Sequence, residues 1–188
     1  MTTFKTHTIE SAPAASKAIL EGARKQLGFV PNLYANLAEA PAALDGYTTL
    51  SGIFDRTSLT PVERQVVLLA VSVENACEFC VAAHSVIAKN FAKAPAAIVT
   101  ALRAAAALPD PRLDALARFA RAIVRDRGWV DGPPLEQFLA AGYTQQQAIE
   151  VVLGVGLKTI SNYVNHLTGT QTNEQFASEA WKKKQQAA

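Results

Sequence analysis

The residues with the clearest chemical potential are Cys77, Cys80 and His84, which lie in the segment Asn75 to Ser85. This segment contains both cysteines of the chain and one of its three histidines. At about 100° per residue in an α-helix, Cys80 lies at about 300° and His84 at about 340° from Cys77. A helix would therefore place two thiols and an imidazole on one narrow stripe. This spacing indicates thiol redox chemistry with an acid/base group beside a dithiol.

Two features of the segment favour the ionised form of a thiol, which is scarce for a free cysteine at neutral pH. Cys77 lies at the predicted start of a helix, where free backbone amides stabilise negative charge. Cys80 precedes His84 by one helical turn, so an imidazolium is within side-chain reach. Because the two thiols of a CxxC motif can form a disulfide, either sulfur could resolve an oxidised partner. A pair of buried structural cysteines is the simpler alternative.

A zinc site is the competing interpretation of the same residues. Two thiolates and one imidazole could bind zinc, with His166 or a water molecule in the fourth position. Structural zinc sites draw their second pair of ligands from another element, and the chain has no second CxxC motif. The three candidates also share one helix face, which is cramped for tetrahedral coordination. The sequence therefore predicts a dithiol with no bound metal and no cofactor.

Several polar residues could support the motif, with His84 as its general base. Glu74 lies near the turn before Cys77 and could orient His84 or polarise a water molecule. Glu63 is better explained as part of a helix cap. His166 follows a polar cluster near the end of the last long helix. It either faces a polar group of the site or interacts with the C-terminus of that helix.

The rest of the chain is predicted to be helical. Hydrophobic residues make up 49% of it, aromatic residues only 7%, and alanine, the strongest helix former, is abundant. No segment alternates with a period of two, so strands have little support. Helices are expected over residues 13–27, 33–38, 41–54, 61–75, 77–91, 95–107, 113–128, 132–140 and 145–167. We therefore expect one all-α domain over residues 1–188, with residues 1–12 as a flexible N-terminal segment.

The helices around the motif have clear boundary signals. Thr60 can cap a helix, and Glu63 completes a capping box. Asn75 and Ala76 form a turn, so the helices before and after them make a hairpin that carries the motif. The last long helix is apolar on most faces as far as Lys158, which is typical of a helix in a core or at a subunit interface.

Composition excludes several classes of partner. The net charge of +2 at pH 7 is too small to indicate binding to nucleic acid or to a membrane surface. The N-terminal residues 1–17 are polar and contain no signal-peptide core. No apolar run reaches the length of a membrane span. We expect a cytoplasmic protein, in which two close cysteines favour catalysis or metal binding over a structural disulfide.

Two motifs in the central part of the chain resemble a known family. Residues 59–64 read LTPVER, and residues 75–84 read NACEFCVAAH. This pattern resembles the alkylhydroperoxidase D (AhpD)-like and carboxymuconolactone decarboxylase superfamily. The resemblance is specific over residues 59–91 and extends loosely to both sides. It implies an AhpD-like helical bundle with a central helix-turn-helix hairpin carrying CxxCxxxH, and a homo-oligomer, either a trimer or a hexamer.

The resemblance also implies roles for individual residues. In the peroxidase branch of the superfamily, the cysteine that matches Cys80 attacks the hydroperoxide, and the cysteine that matches Cys77 resolves the sulfenic acid. The histidine that matches His84 belongs to the proton relay. Two positions depart from this pattern. The relay glutamate is replaced by Gln65, which cannot accept a proton, so Glu74 or Glu63 would have to substitute or activation would be weaker. A histidine between the cysteines is replaced by Phe79.

The function that follows is a thiol-dependent peroxidase or disulfide oxidoreductase. Its substrate would be a hydroperoxide, and an external dithiol or protein reductant would reduce the disulfide. One alternative is a cofactor-free lyase like carboxymuconolactone decarboxylase, which would use His84 and a carboxylate and would not need the cysteines. Another alternative is a non-enzymatic zinc-binding or redox-sensing helical module.

Overall fold

The computed structural model describes residues 4–183, and every regular element in this part of the chain is helical. The elements are α1 (Ala14–Leu27), α2 (Asn32–Leu37), α3 (Pro41–Phe54), α4 (Pro61–Glu74), α5 (Glu78–Asn90), α6 (Ala96–Arg103), α7 (Pro111–Arg125), α8 (Pro133–Ala140), α9 (Gln145–Thr168) and a C-terminal 3₁₀-helix (Glu174–Glu179). The prediction of an all-α fold is confirmed.

Helix α4 forms the centre of the bundle. It packs against α5, α6, α7 and α9, and every side chain from Val66 to Val73 is buried. A helix that is apolar on nearly all faces has to be surrounded by other helices. The predicted capping box fixes its N-terminus: the Thr60 hydroxyl accepts from the Glu63 amide, and the Glu63 carboxylate accepts from the Thr60 amide.

The turn between α4 and α5 directs the two cysteines into the bundle. Helix α4 ends at Glu74, and Ala76 has a φ of 54°, in the left-handed region that alanine rarely adopts. The amide of Cys77 donates to the carbonyl of Ser72 at 2.9 Å, and Cys77 is the N-cap residue of α5. The chain therefore reverses over three residues, and the predicted hairpin carrying CxxCxxxH is present.

Helix α9 lies close against α3 and α4, and Gly154 permits this approach. A Cβ atom at Gly154 would lie 2.8 Å from ring atoms of Phe54 and 2.9 Å from Cγ1 of Val67. Both distances are shorter than a van der Waals contact, so a larger side chain would push the helices apart. The same inward face of α9 also packs against α5.

Two helices end earlier than the sequence predicted. Helix α6 ends at Arg103 and not at residue 107, because Ala105 has a φ of 54° and terminates it. Helix α7 ends at Arg125, because Arg127 and Gly128 both have positive φ. Neither difference affects the hairpin.

The C-terminal 3₁₀-helix was not predicted, because its six residues have no apolar period. Its buried Phe176 packs edge-on against Phe29, with ring centroids 5.5 Å apart, and against Phe79, at 5.9 Å. Glu179 receives a hydrogen bond from Lys89 of α5 at 2.6 Å. This short element therefore lies over the helix that carries the motif.

The N-terminal segment, for which the sequence predicted flexibility, contacts α2 over its described part. The His7 amide donates to the carbonyl of Ala35 at 3.2 Å, and the buried His7 ring hydrogen-bonds to Glu39. Residues 1–3 of the segment lie outside the described residues. Within residues 4–183, no helix combines the length and the apolar run needed to cross a membrane.

Candidate active site

The two cysteines lie side by side in the interior, next to α9. Both are free thiols, and each is only 1% exposed. One amide nitrogen, Asn165 Nδ2, lies 3.5 Å from Cys77 Sγ and 3.2 Å from Cys80 Sγ. Ser161 Oγ lies 3.8 Å from Cys80 Sγ. The two sulfurs therefore share one polar partner on α9, the Asn165 amide, which brings them close together.

The two thiols differ in acidity. Burial acts to raise the pKa of Cys80, but hydrogen bonds from Cys77 and Lys158 and the positive charge of Lys158 outweigh it and hold this pKa well below its usual range. The pKa of Cys77 is raised, because its thiol hydrogen-bonds to Cys80 and because it is buried. Both shifts favour ionisation of Cys80 before Cys77.

His84 is held between two side chains in its neutral form. Its Nδ1 lies 3.0 Å from Gln65 Oε1, and its Nε2 lies 2.9 Å from Lys158 Nζ. Because the amide oxygen of Gln65 only accepts, Nδ1 carries the proton and Nε2 accepts from the ammonium. Burial, and then the charge of Lys158, lower the pKa of His84 well below its usual value. The imidazolium expected from the sequence is therefore absent, and Lys158 supplies the positive charge.

Lys158 is the functional residue that sequence reasoning missed. Its side chain is fully buried, and within residues 4–183 it forms no ion pair with a carboxylate. Its spacing from Ser161 and Asn165, three and seven residues along α9, was the available signal, because such positions share one helix face. A lysine on the apolar face of a core helix needs a charged partner. Here the Nζ atom of Lys158 lies beside His84 Nε2, and its positive charge favours ionisation of Cys80.

The structure does not bring the predicted carboxylates to His84. Glu74 points to α7, with its Oε1 3.7 Å from Arg125 Nε. Glu63 is occupied by the cap of α4 and by an ion pair with Arg112. Hydrogen bonds and the Arg112 charge overcome the effect of burial and keep the pKa of Glu63 low. Neither glutamate replaces Gln65 beside the imidazole.

His166 also lies outside the site. It is exposed in the last turn of α9, where its ring stacks on Tyr163 with centroids 6.5 Å apart. This position fits the interaction with a helix C-terminus. In the part of the chain from residue 4 to 183, no three His, Cys, Asp or Glu side chains are grouped to bind a metal. The zinc interpretation therefore finds no ligand cluster among these residues.

A pocket of about 410 Å³ opens next to the thiolate. Cys80, His84 and Lys158 contribute to one part of its wall. Most of the remaining wall is apolar or aromatic, and it includes Phe29, Leu33, Tyr34, Tyr47, Phe79, Val86, Ile87, Phe91 and Phe176. Burial raises the pKa of Tyr34 and of Tyr47, so both phenols are neutral. The pocket can therefore accept an apolar molecule with its reactive atom beside the sulfur.

The fold is shared with several solved structures. An uncharacterised peroxidase-related protein from Ralstonia eutropha JMP134, with an alkylhydroperoxidase AhpD core, is 23% identical; the TM-score is 0.81, and 92% of this chain and 93% of that chain are covered. A peroxidase-related protein from Silicibacter sp. TM1040 is 20% identical, with a TM-score of 0.79 and coverage of 94% and 95%. The debrominase Bmp8 in complex with 2,3,4-tribromopyrrole is 17% identical, with a TM-score of 0.76 and coverage of 95% and 96%. These likenesses establish an AhpD-like fold.

The central part of the sequence is similar to a known family. Residues 37–122 match the model of the Carboxymuconolactone decarboxylase family and include the hairpin with both cysteines and His84. The resemblance identified from the sequence is confirmed over these residues. No curated protein sequence matches the chain at a significant level.

Proposed function

We propose that the protein is a thiol-dependent peroxidase that reduces organic hydroperoxides through a Cys77–Cys80 dithiol/disulfide cycle. The main support is the unequal ionisation of two adjacent thiols beside an apolar pocket. A thiolate is the nucleophile in such chemistry, and a neighbouring thiol is needed to resolve the oxidised product. Cys80 meets the first requirement and Cys77 the second.

In the first step the Cys80 thiolate attacks the terminal oxygen of the hydroperoxide. The O–O bond breaks, its electron pair leaves with the alkoxide, and Cys80 becomes a sulfenic acid. The alkoxide needs one proton. The Lys158 ammonium can supply it, since this group lies 2.9 Å from His84 Nε2 and lines the pocket beside Cys80. Lys158 regains a proton from solvent when the disulfide is reduced again.

In the second step Cys77 attacks the sulfur of the Cys80 sulfenic acid. The disulfide forms, the S–O bond breaks, and the departing hydroxide combines with the proton of Cys77 to give water. Asn165, whose amide contacts both sulfurs, keeps them adjacent during this step. An external dithiol or protein reductant would then return both thiols to the reduced state.

The lyase alternative has less support from the contacts of His84. Such a reaction would pair the imidazole with a carboxylate, and within residues 4–183 the hydrogen-bond partners of His84 are Gln65 and Lys158. Replacing both Cys77 and Cys80 with serine separates the two functions. A lyase would keep its activity in that variant, and a dithiol peroxidase would lose it.

The test of the proposal is hydroperoxide consumption with a dithiol as reductant. We expect Cys80→Ser to abolish turnover, because the nucleophile is lost. Cys77→Ser serves as the matched variant, and we expect it to react once and to accumulate a sulfenic acid that dimedone traps. Full turnover by Cys80→Ser would refute the proposal. Trapping of the label at Cys77 in the wild-type protein would reverse the assigned roles.

A further inference from the structure

Oxidation of the dithiol changes the charge balance around Lys158. In the reduced protein the positive charge of Lys158 favours the thiolate form of Cys80, and an ammonium beside a thiolate is neutral overall. A disulfide has no charge, and His84, the other partner of Lys158, is held as a neutral base at 2.9 Å. Among the described residues no carboxylate pairs with Lys158. In the oxidised protein a protonated Lys158 would therefore be a buried cation without a counter-charge, which is a costly state unless an anion enters with it.

The surroundings of Lys158 define the kind of anion that could restore the balance. Lys158 lines the 410 Å³ pocket together with Cys80 and His84, and most of the remaining lining is aromatic or aliphatic. A small hydrated anion would leave these walls uncovered. A monoanion with an apolar body would pair its charge with Lys158 and cover the apolar walls.

We propose that disulfide formation creates a binding site for apolar monocarboxylates, with the carboxylate at Lys158 and the hydrocarbon part along the aromatic wall of the pocket. In the reduced protein the Cys80 thiolate already neutralises the charge of Lys158, and it repels a second anion. The inference rests on the proposed function only insofar as that function makes the disulfide a normal state of the protein.

Such a site couples ligand binding to the redox equilibrium. A carboxylate that binds the oxidised form more tightly than the reduced form must also stabilise the disulfide by the same factor. For a two-electron couple, a tenfold preference lowers the reduction potential by about 30 mV at saturation. An apolar acid would therefore slow the return of the protein to its reduced state.

The test is the binding of octanoate, measured by calorimetry, with octanol as a neutral control of the same chain length. We expect octanoate to bind diamide-oxidised protein at least tenfold more tightly than reduced protein, and octanol to bind both equally. Reduced Cys80→Ser, which lacks the thiolate and needs no oxidation, is expected to bind octanoate like the oxidised protein. Oxidised Lys158→Met should lose the preference for octanoate over octanol.

Three outcomes would overturn the inference: equal octanoate affinity in the two redox states, an unchanged affinity in Lys158→Met, or no binding to either the oxidised protein or Cys80→Ser. None of these measurements depends on peroxide turnover. A protein without peroxidase activity could therefore still show the carboxylate site, and the two proposals fail separately.

A different observation concerns the outer face of α9. The side chains of Ile149, Val152, Ile160, Tyr163 and Leu167 are between 37% and 73% exposed. Together with the exposed Gly156 they form one stripe along the helix, which we name the α9 outer stripe. Spacings of three and four residues place all of them on one face, opposite the face that carries Lys158 and the rest of the site.

The α9 outer stripe is symmetric about Gly156. Val152 and Ile160 lie four residues to either side of it, and Ile149 and Tyr163 lie seven residues to either side. A Cβ atom at Gly156 would meet nothing within 4 Å, so the centre of the stripe is open. In an antiparallel pair of α9 helices that cross at Gly156, each apolar side chain would face an apolar side chain of the other copy. Self-complementarity of this kind is what a two-fold contact requires.

We infer that the α9 outer stripe is a two-fold interface between two copies of the chain. The exposed apolar surface of the stripe is on the order of 500 Å² per copy, which gives a total of roughly 1,000 Å² for a pair and reaches the lower bound of specific interfaces. The symmetry of the stripe about the open Gly156 position favours a second copy as the molecule that covers it. A two-fold pair is compatible with the predicted hexamer and not with an isolated trimer.

Sedimentation of the full chain tests this interface. We expect Val152→Glu, which would place two carboxylates in the contact, to reduce self-association at least tenfold, and Trp129→Glu, at an 88% exposed site away from α9, to leave it unchanged. In a chain with serine at both cysteine positions, Gly156→Cys should form a covalent dimer with itself and Trp129→Cys should not. A monomeric wild-type protein, or a dimer that persists in Val152→Glu, would overturn the inference.

Discussion

Replacement of Lys158 by methionine is the most direct test of how the site is activated. Methionine has a similar length and keeps the packing of the buried lysine stem, but it removes the ammonium. The positive charge and the hydrogen bonding of this ammonium are among the causes that hold the pKa of Cys80 low. We therefore expect Lys158→Met to raise the pKa of Cys80 and to lower the reactivity of this sulfur at neutral pH.

The magnitude follows from the nature of the contact. A hydrogen bond to a charged group contributes about 1.5–3 kcal/mol, and one pKa unit corresponds to about 1.4 kcal/mol. The pKa of Cys80 should therefore rise by about one to two units. The pH dependence of alkylation by iodoacetamide measures this directly, with Cys77 replaced by serine so that one thiol reports. The midpoint of the rate profile should move upward by the same one to two units.

Two further variants make the result specific. Lys158→Arg keeps the charge and should keep most of the depression of the pKa of Cys80. Lys25→Met removes a lysine from the exposed surface of α1 and should leave the alkylation profile unchanged. If the midpoint in Lys158→Met equals that of the parent, the thiolate is stabilised by other groups and the reasoning about Lys158 is refuted. Circular dichroism of each variant confirms that the fold is intact.

Three further predictions concern stability and packing. The pKa of His84 is depressed in the folded state, so the unfolded chain binds an extra proton below about pH 6.5. Acid should therefore lower the free energy of unfolding by up to about 1.4 kcal/mol per pH unit. Urea unfolding at pH 7 and pH 5 should show a smaller loss of stability in His84→Asn than in the wild-type protein. Gly154→Ala should lower the free energy of unfolding by about 1–3 kcal/mol, since the new Cβ would meet Phe54 at 2.8 Å. Gly46→Ala, where a Cβ meets no atom within 4 Å, should not destabilise the protein. Equal unfolding midpoints for the two variants would contradict the close approach of α9. Phe176→Ala should cost about 3 kcal/mol and detach the C-terminal 3₁₀-helix, which limited proteolysis would detect; unchanged cleavage there would contradict the anchoring role.

The sequence was sufficient to predict the hairpin because its signals are local. The capping box of Thr60 and Glu63 and the turn before Cys77 involve residues only a few positions apart. The spacing of the motif along one helix then places Cys80 next to Cys77. Such short-range rules do not depend on how the remaining helices pack. They therefore predict the all-α fold and the dithiol, but not the environment of the dithiol.

The environment of the dithiol depends on contacts that are distant in sequence. Lys158 is separated from His84 by 74 residues, and Asn165 from Cys80 by 85. Their spacing shows that Lys158 and Asn165 share a face of α9. Which helices pack against that face depends on how closely α9 approaches them, and Gly154 permits that approach. Glu74, although close to the cysteines in sequence, points to α7, because the turn separates its helix face from α5. Proximity along the chain was misleading where a turn intervenes.

The presence of Gln65 in place of a glutamate is consistent with the buried charge of Lys158. A glutamate at position 65 would lie 3 Å from His84 Nδ1, would favour the imidazolium, and would place a second cation beside Lys158. The amide of Gln65 instead accepts a hydrogen bond without drawing a proton onto the ring. His84 then remains a neutral acceptor for the ammonium, and the single positive charge of the site stays on Lys158, next to Cys80. The glutamine that looked like the loss of a proton relay is thus consistent with a site in which a lysine on α9 holds the proton.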